Sequence, residues 1–118
     1  MPKSTYSLNA VLNALLRNTA YTSPVTVYVG LLNGATETTG GSYARQSITL
    51  GVPTAGICTS STAQTFAGMP ATTVANIGIY DALTAGNQLY NGTAAASKVT
   101  NAGDTVTIAV GGITVQES

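Results

Sequence analysis

Charge is almost missing from this chain. Of 118 residues, four are Lys or Arg and four are Asp or Glu, and histidine and tryptophan are absent. An ordinary globular protein is about one quarter charged. Acid–base, metal and phosphate chemistry draws on several such side chains at once, most often with histidine. Here Lys3, Arg17, Arg45, Lys98, Glu37, Asp81, Asp104 and Glu117 lie scattered along the chain. The composition therefore predicts no catalytic residue, no metal site and no cofactor: the protein is not an enzyme. Four separated cations cannot neutralise a run of phosphates, so nucleic acid is not an expected partner. The same scarcity argues against a polybasic membrane anchor. No apolar run reaches the roughly 20 residues of a membrane-spanning helix.

Cysteine is scarce too. The single Cys58 has no partner for an intramolecular disulfide and no basic neighbour in Gly56-Ile57-Cys58-Thr59 to lower its pKa. It reads as a small buried side chain or an exposed thiol, not as a nucleophile. The N-terminus begins like a signal peptide, but Asn9 and Asn13 interrupt its apolar run. The segment is expected to be retained, and the chain to be made in a cytoplasm.

What remains is apolar and β-prone. The chain is 44% hydrophobic with zero formal net charge, and threonine, valine and isoleucine favour strands. A neutral, charge-poor surface tends to associate. Much of it is therefore expected to be covered by partners or by copies of the chain itself.

One helix is predicted, over residues 7–18, with Ser7 as N-cap and Asn18 as stop. Leu8, Val11, Leu12, Leu15 and Leu16 follow the spacing of one helical face. That face packs on the chain's own sheet or docks on a neighbouring subunit; the spacing alone leaves both readings open.

Beyond Thr19 the pattern has period two. Val25–Leu32, Tyr43–Leu50, Gln64–Phe66, Val74–Ala82, Asn87–Tyr90, Ala94–Val99, Asp104–Val110 and Ile113–Val115 read as strands, separated by turn-rich stretches at 33–42 and 51–63. Gly78 inside its strand points to a bulge or a close backbone neighbour. Six to eight short strands at this spacing predict a mainly β fold, an antiparallel β-sandwich or small barrel, with one N-terminal amphipathic helix. Residues 1–118 are expected to form a single domain, with 1–20 as a helix or arm.

Chemistry-bearing patterns are few. Gly40-Gly41 lacks the spacing, the lysine and the following helix of a phosphate cradle. Asp81 and Asp104 lack the aromatic surroundings of a glycosidase pair. Ser97 and Lys98 are adjacent, which puts their side chains on opposite faces of a strand. Arg45 is the informative residue. A guanidinium on a strand in so uncharged a protein wants a carboxylate, either Glu37 or Asp81. Gly40, Gly41, Tyr43, Arg45, Glu37 and Asp81 are thus the candidate loop anchor. Leu8, Val11, Leu12, Leu15 and Leu16 are the candidate subunit-docking set.

Three stretches together are similar to a family of small virion proteins of tailed bacteriophages. They are the strand Val25-Thr-Val-Tyr-Val-Gly-Leu-Leu32, the loop closing on Gly41-Ser-Tyr-Ala-Arg-Gln46, and Ile77-Gly-Ile-Tyr-Asp-Ala82 with Gly86-Asn-Gln-Leu89 and Ala102-Gly-Asp-Thr105. Members are described as capsid cement or decoration proteins or as tail-fibre-like proteins. The resemblance implies a virion structural protein made in the host cytoplasm. The first expectation is a capsid cement protein stabilising junctions between major capsid subunits, with the major capsid protein and copies of itself as partners. A trimer is favoured by the resemblance alone. The alternative is a tail-fibre or minor tail protein that binds host-surface glycans. A secreted adhesive subunit is a more distant reading.

Overall fold

The computed structural model describes residues 2–116. Its helix, α1, runs Thr5–Leu16. Ser4 is the N-cap; its side chain accepts from the Ser7 backbone N–H at 3.2 Å. Ser7, predicted as the cap, lies inside the first turn and is buried. Ser4 competes successfully because it is already tied to the body, donating its backbone N–H to the Leu89 carbonyl. The helix ends where Asn18 turns to φ 52°, which lets the Thr19 N–H reach back to the Asn13 carbonyl.

Nine strands follow among the described residues, one more than the expected range. β1 (Val27–Asn33) is the centre of the main sheet. β6 (Thr72–Tyr80) covers one of its edges, and β7 (Gln88–Thr100) pairs on beyond β6. The other edge of β1 is shared by β2 (Thr36–Glu37) at its end and β3 (Gln46–Ile48) at its start. Two antiparallel ribbons complete the molecule: β4 (Ile57–Thr59) with β9 (Thr114–Gln116), and β5 (Gln64–Met69) with β8 (Asp104–Ile108). The sheets do not close into a barrel.

The core sits between the main sheet and the ribbons. Val29, Leu31, Ile48, Val74 and Ile79 from the sheet meet Phe66, Met69, Val106 and Val115 from the ribbons, with Ile113 beside β9. Alternation explains the selection. Val29 and Leu31 point into the sandwich, while Gly30 between them faces the opposite side.

Beyond shifts of a few residues at strand ends, the strands differ from the sequence reading in three places. β2 falls inside a stretch read as loop. Asn33-Gly34 is a hairpin signal there, and Gly34 at φ 65° makes the corner that lets Asn33 pair Thr36. β4 likewise falls inside the expected 51–63 loop. β7 is one strand rather than the two predicted. Between Val74↔Lys98 and Asn76↔Thr93, β7 spends more residues than β6, so the Ala94–Ser97 stretch bulges from the ladder.

The N-terminal segment seals part of the outer edge of β7. The Asn91 N–H donates to the Pro2 carbonyl, Ser4 donates to Leu89, and Lys3 bridges Tyr90. α1 is therefore mounted on β7 of its own chain.

Candidate functional site

Two places hold the residues singled out by sequence. The first is the cluster around Arg45, built on the face of the main sheet away from the core. Gly30 and Gly78 sit opposite each other on β1 and β6. A Cβ on Gly30 would lie 2.8 Å from both Glu37 Oε2 and the Tyr80 ring, and one on Gly78 would lie 2.9 Å from that ring and from Leu32. The paired glycines thus leave a shallow bed for Tyr80. Gly78 stands in regular register, and its close neighbours are the side chains of Leu32, Tyr80 and Gln88, not the bulge or backbone neighbour expected from its place in the strand.

On that bed lies the Arg45 guanidinium, 3.6 Å from the Tyr80 ring centroid. Its Nε donates to Glu37 Oε2 at 2.9 Å and its Nη2 to Glu37 Oε1 at 2.8 Å, the two-pronged geometry that suits guanidinium and carboxylate. Nη1 donates to the carbonyls of Ala82 and Ala85, each at 2.8 Å. The Arg45 side chain is 9% exposed and that of Glu37 25%. Arg45 thereby ties three elements together: its own strand approach, the β1–β2 hairpin and the turn after β6.

Tyr43 completes the cluster. β2 and β3 leave a gap along their shared edge of β1, and the Leu31 N–H opens into it. The Tyr43 hydroxyl fills the gap, accepting from Leu31 at 3.0 Å and donating to Glu37 Oε2 at 2.7 Å. Its ring stacks on Phe66, centroids 6.1 Å apart, and so connects the cluster to the core. The adjoining Gly40-Gly41 turn presses on β5: Ser42 donates to the Gly68 carbonyl, and a Cβ on Gly41 would meet that oxygen at 2.5 Å.

The electrostatics follow from this geometry. Burial alone would raise the Glu37 carboxyl, but hydrogen bonds from Arg45 and Tyr43 outweigh it and hold the pKa below the usual value. Arg45 is raised, first by its hydrogen bonds to Glu37. Tyr43 is pushed far up by burial and by the carboxylate it serves.

Asp81, the other carboxylate considered for Arg45, is not its partner. It accepts from the Asn87 backbone N–H at 2.7 Å and from Asn87 Nδ2 at 3.1 Å, closing the turn that Arg45 grips from the other side. Those bonds lower its pKa. Four of the five guanidinium N–H groups have partners within the chain. The cluster is consequently a structural clamp with little left to offer a ligand. Among the described residues no group of three or more metal-ligating side chains comes together.

The second place is α1. Its body-facing side is Ser7, Ala10, Val11 and Ala14, which border Leu89 and Tyr90 of β7 around a groove of about 200 Å³. Val11 is half-buried at this groove, apart from the leucines. Leu8, Leu12, Leu15 and Leu16 point elsewhere and are 45%, 52%, 76% and 76% exposed. The helix rests beside β7 with Ser7 buried and with Ala10 and Ala14 bordering the groove, so the sheet receives its polar-small face instead of its leucines. The sequence signal for this was the Ala10–Ala14 pair, overshadowed by the leucine periodicity.

The fold is thus a β-sandwich with an internal clamp of one arginine and one glutamate, and with a helix that shows its leucines outward. The family model described as Podophage GP4 fiber I protein gp80 matches residues 2–116, and the chain belongs to that family. It is accordingly a small structural protein of a tailed-phage virion. No curated protein matches it.

Proposed function

We propose that this chain is a building unit of a phage tail fibre, without enzymatic activity, holding its place by burying surface against other proteins. The membership of nearly the whole chain in a fibre-protein family carries this reading. It replaces capsid cement as the first choice, because a fibre location fits the family description and a capsid one does not draw on it. The open leucine face of α1 is in keeping with a subunit that joins neighbours. Difference imaging of virions with and without a tag on this chain tests the location. Density on the tail is expected; density on the shell would restore the cement reading, with the major capsid protein as partner.

A second reading, host-glycan contact by the same fibre, has one observation in its favour. Tyr6 and Tyr21 form an edge-on pair, centroids 6.4 Å apart, beside a groove of about 300 Å³ lined also by Asn9, Asn13 and Thr19. Exposed rings with amide and hydroxyl neighbours suit neutral sugars. Binding to a glycan array that is lost in Tyr21→Ala is the expected result, and an array without a hit removes this reading.

A further inference from the structure

The sequence holds two Asn-Gly pairs, Asn33-Gly34 and Asn91-Gly92. Asparagine is a chemically labile residue. It is most labile before glycine, where no side chain shields the next peptide nitrogen. The fold brings the two pairs together at the β1–β2 corner and treats them differently.

Their meeting point is a ring of amides. The Gly34 N–H donates to Asn76 Oδ1 at 3.1 Å, Asn76 Nδ2 donates to Asn91 Oδ1 at 3.0 Å, and Asn91 Nδ2 returns to the Gly34 carbonyl at 3.4 Å. β6 supplies Asn76 and β7 supplies Asn91, so the corner is fastened to strands far from it in sequence.

Asn91 has its carboxamide engaged through both nitrogen and oxygen, and Gly92 lies buried, paired with Ile77 of β6. Asn33 is placed otherwise. It is the exposed last residue of β1, and its carboxamide has no hydrogen-bond partner among the described residues. Gly34 turns at φ 65° in open space: among the described residues, nothing lies within 4 Å of where its Cβ would be. Ring closure of Asn33 onto the Gly34 nitrogen therefore meets no steric bar. What opposes it is the bond to Asn76. That bond fixes the plane of the peptide between Asn33 and Gly34, and turning the nitrogen toward Asn33 Cγ breaks it.

We propose that Asn33 is a site of spontaneous deamidation and that the Asn76 carboxamide sets its pace. The Gly34 nitrogen attacks Asn33 Cγ. A new N–C bond forms, the bond from Cγ to the side-chain nitrogen breaks, and ammonia leaves carrying the Gly34 proton. Water then opens the cyclic imide. Addition at the Cγ carbonyl gives aspartate; addition at the backbone carbonyl gives isoaspartate, which adds a methylene to the main chain. Nothing is oxidised or reduced. Either product puts a negative charge on a chain of zero formal net charge. It falls on the residue that pairs with Thr36, next to Glu37. The modification thus strikes the hairpin that delivers Glu37 to Arg45, wherever in the virion the chain sits.

Peptide mapping by mass spectrometry, after incubating the full chain in mildly alkaline buffer, tests this. Trypsin cuts after Arg17, Arg45 and Lys98, so Asn33 and Asn91 fall in separate peptides, 18–45 and 46–98. In the folded parent the acid product is expected at Asn33, as two species of equal mass that separate on chromatography, and not at Asn91. In the chain unfolded by guanidinium both sites are expected to react, because the amide ring is gone. Asn76→Ala should speed the folded-state reaction at Asn33 by roughly 5–10-fold, the factor that one hydrogen bond of ordinary net strength supplies. Asn76→Asp keeps an acceptor for the Gly34 N–H and should stay near the parental rate, which separates loss of that bond from a general loosening of the hairpin. Should Asn76→Ala not fold, the parent decides: Asn33 must react more slowly folded than unfolded and still outpace Asn91. No product at Asn33, Asn91 reacting as fast as Asn33 in the folded parent, an Asn33 rate indifferent to Asn76→Ala, or Asn76→Asp as fast as Asn76→Ala each overturns the proposal.

Discussion

The Arg45 cluster and the leucine face of α1 treat their surroundings in opposite ways. Around Arg45, strong polar groups are turned inward and paired with one another: guanidinium with carboxylate, hydroxyl with backbone N–H, cation with ring. On α1, side chains with no polar needs are turned outward. A partly buried ion pair contributes through geometry, since each group left alone would be costly. An exposed apolar stripe contributes nothing until something covers it. The clamp ties elements of the fold together, and the stripe stays exposed on the described chain.

Breaking the clamp is expected to give the largest loss of stability. Arg45→Ala leaves the Glu37 carboxylate, the Ala82 and Ala85 carbonyls and the Tyr80 face without their partner. Chemical denaturation should show a loss of about 2–4 kcal/mol. A change within error would mean that solvent replaces the guanidinium freely.

Next comes the glycine bed. In Gly30→Ala the new Cβ meets Glu37 and the Tyr80 ring at 2.8 Å, displacing the clamp without removing any of its members. A loss of about 1–3 kcal/mol is expected. Retention of parent stability would show that Tyr80 moves aside without cost.

Glu37→Gln is the finer probe, because it keeps the shape and removes the charge. A loss of about 1–2 kcal/mol is expected. Its pH profile is more telling. The Glu37 pKa is lowered in the folded state, so its contribution is present above the ordinary value of 4.5 and is lost as pH falls through the lower folded value. The melting temperature of the parent should decline over that acid range more than that of Glu37→Gln. Parallel curves would place the acid sensitivity in other carboxylates.

The smallest effect on folding is expected at the stripe. Leu12→Glu with Leu15→Glu touches side chains that already face water, so the unfolding free energy of the isolated subunit should change by only about 0.5 kcal/mol, measured at a concentration where it is monomeric. A large destabilisation would mean that the stripe packs on its own chain, and the contrast between the two regions would collapse.

Particular elements show how far local sequence reaches. The alternation Val27, Val29, Leu31 marked β1, and Val106 with Ile108 marked β8, because a strand half inside a sandwich needs period two. The helix was visible from its 3.6-residue period. β2 was missed, since two residues carry no period, and only the Asn33-Gly34 corner announces it. The long β7 was split at 91–93, because Gly92 breaks the pattern there; the strand is continuous only through the pairing of Asn91, Gly92 and Thr93 with Gly78, Ile77 and Asn76 of β6.

The candidate site divides the same way. That Arg45 needs a carboxylate follows from its type alone: a guanidinium on a strand in a chain with four acids must find one. Choosing Glu37 over Asp81 required the β1–β2 hairpin, which brings Glu37 beside Leu32 and thus over the glycine bed, while Asn87 takes Asp81 locally. Periodicity likewise establishes that α1 has an apolar face, because side-chain direction is written into the spacing. What that face meets depends on how the helix is mounted. The mounting was decided by the Pro2–Ser4 bonds to β7 and by the burial of Ser7 beside it, contacts between segments far apart in sequence. Local pattern specifies which surfaces exist, and only the packed chain decides which of them are already used.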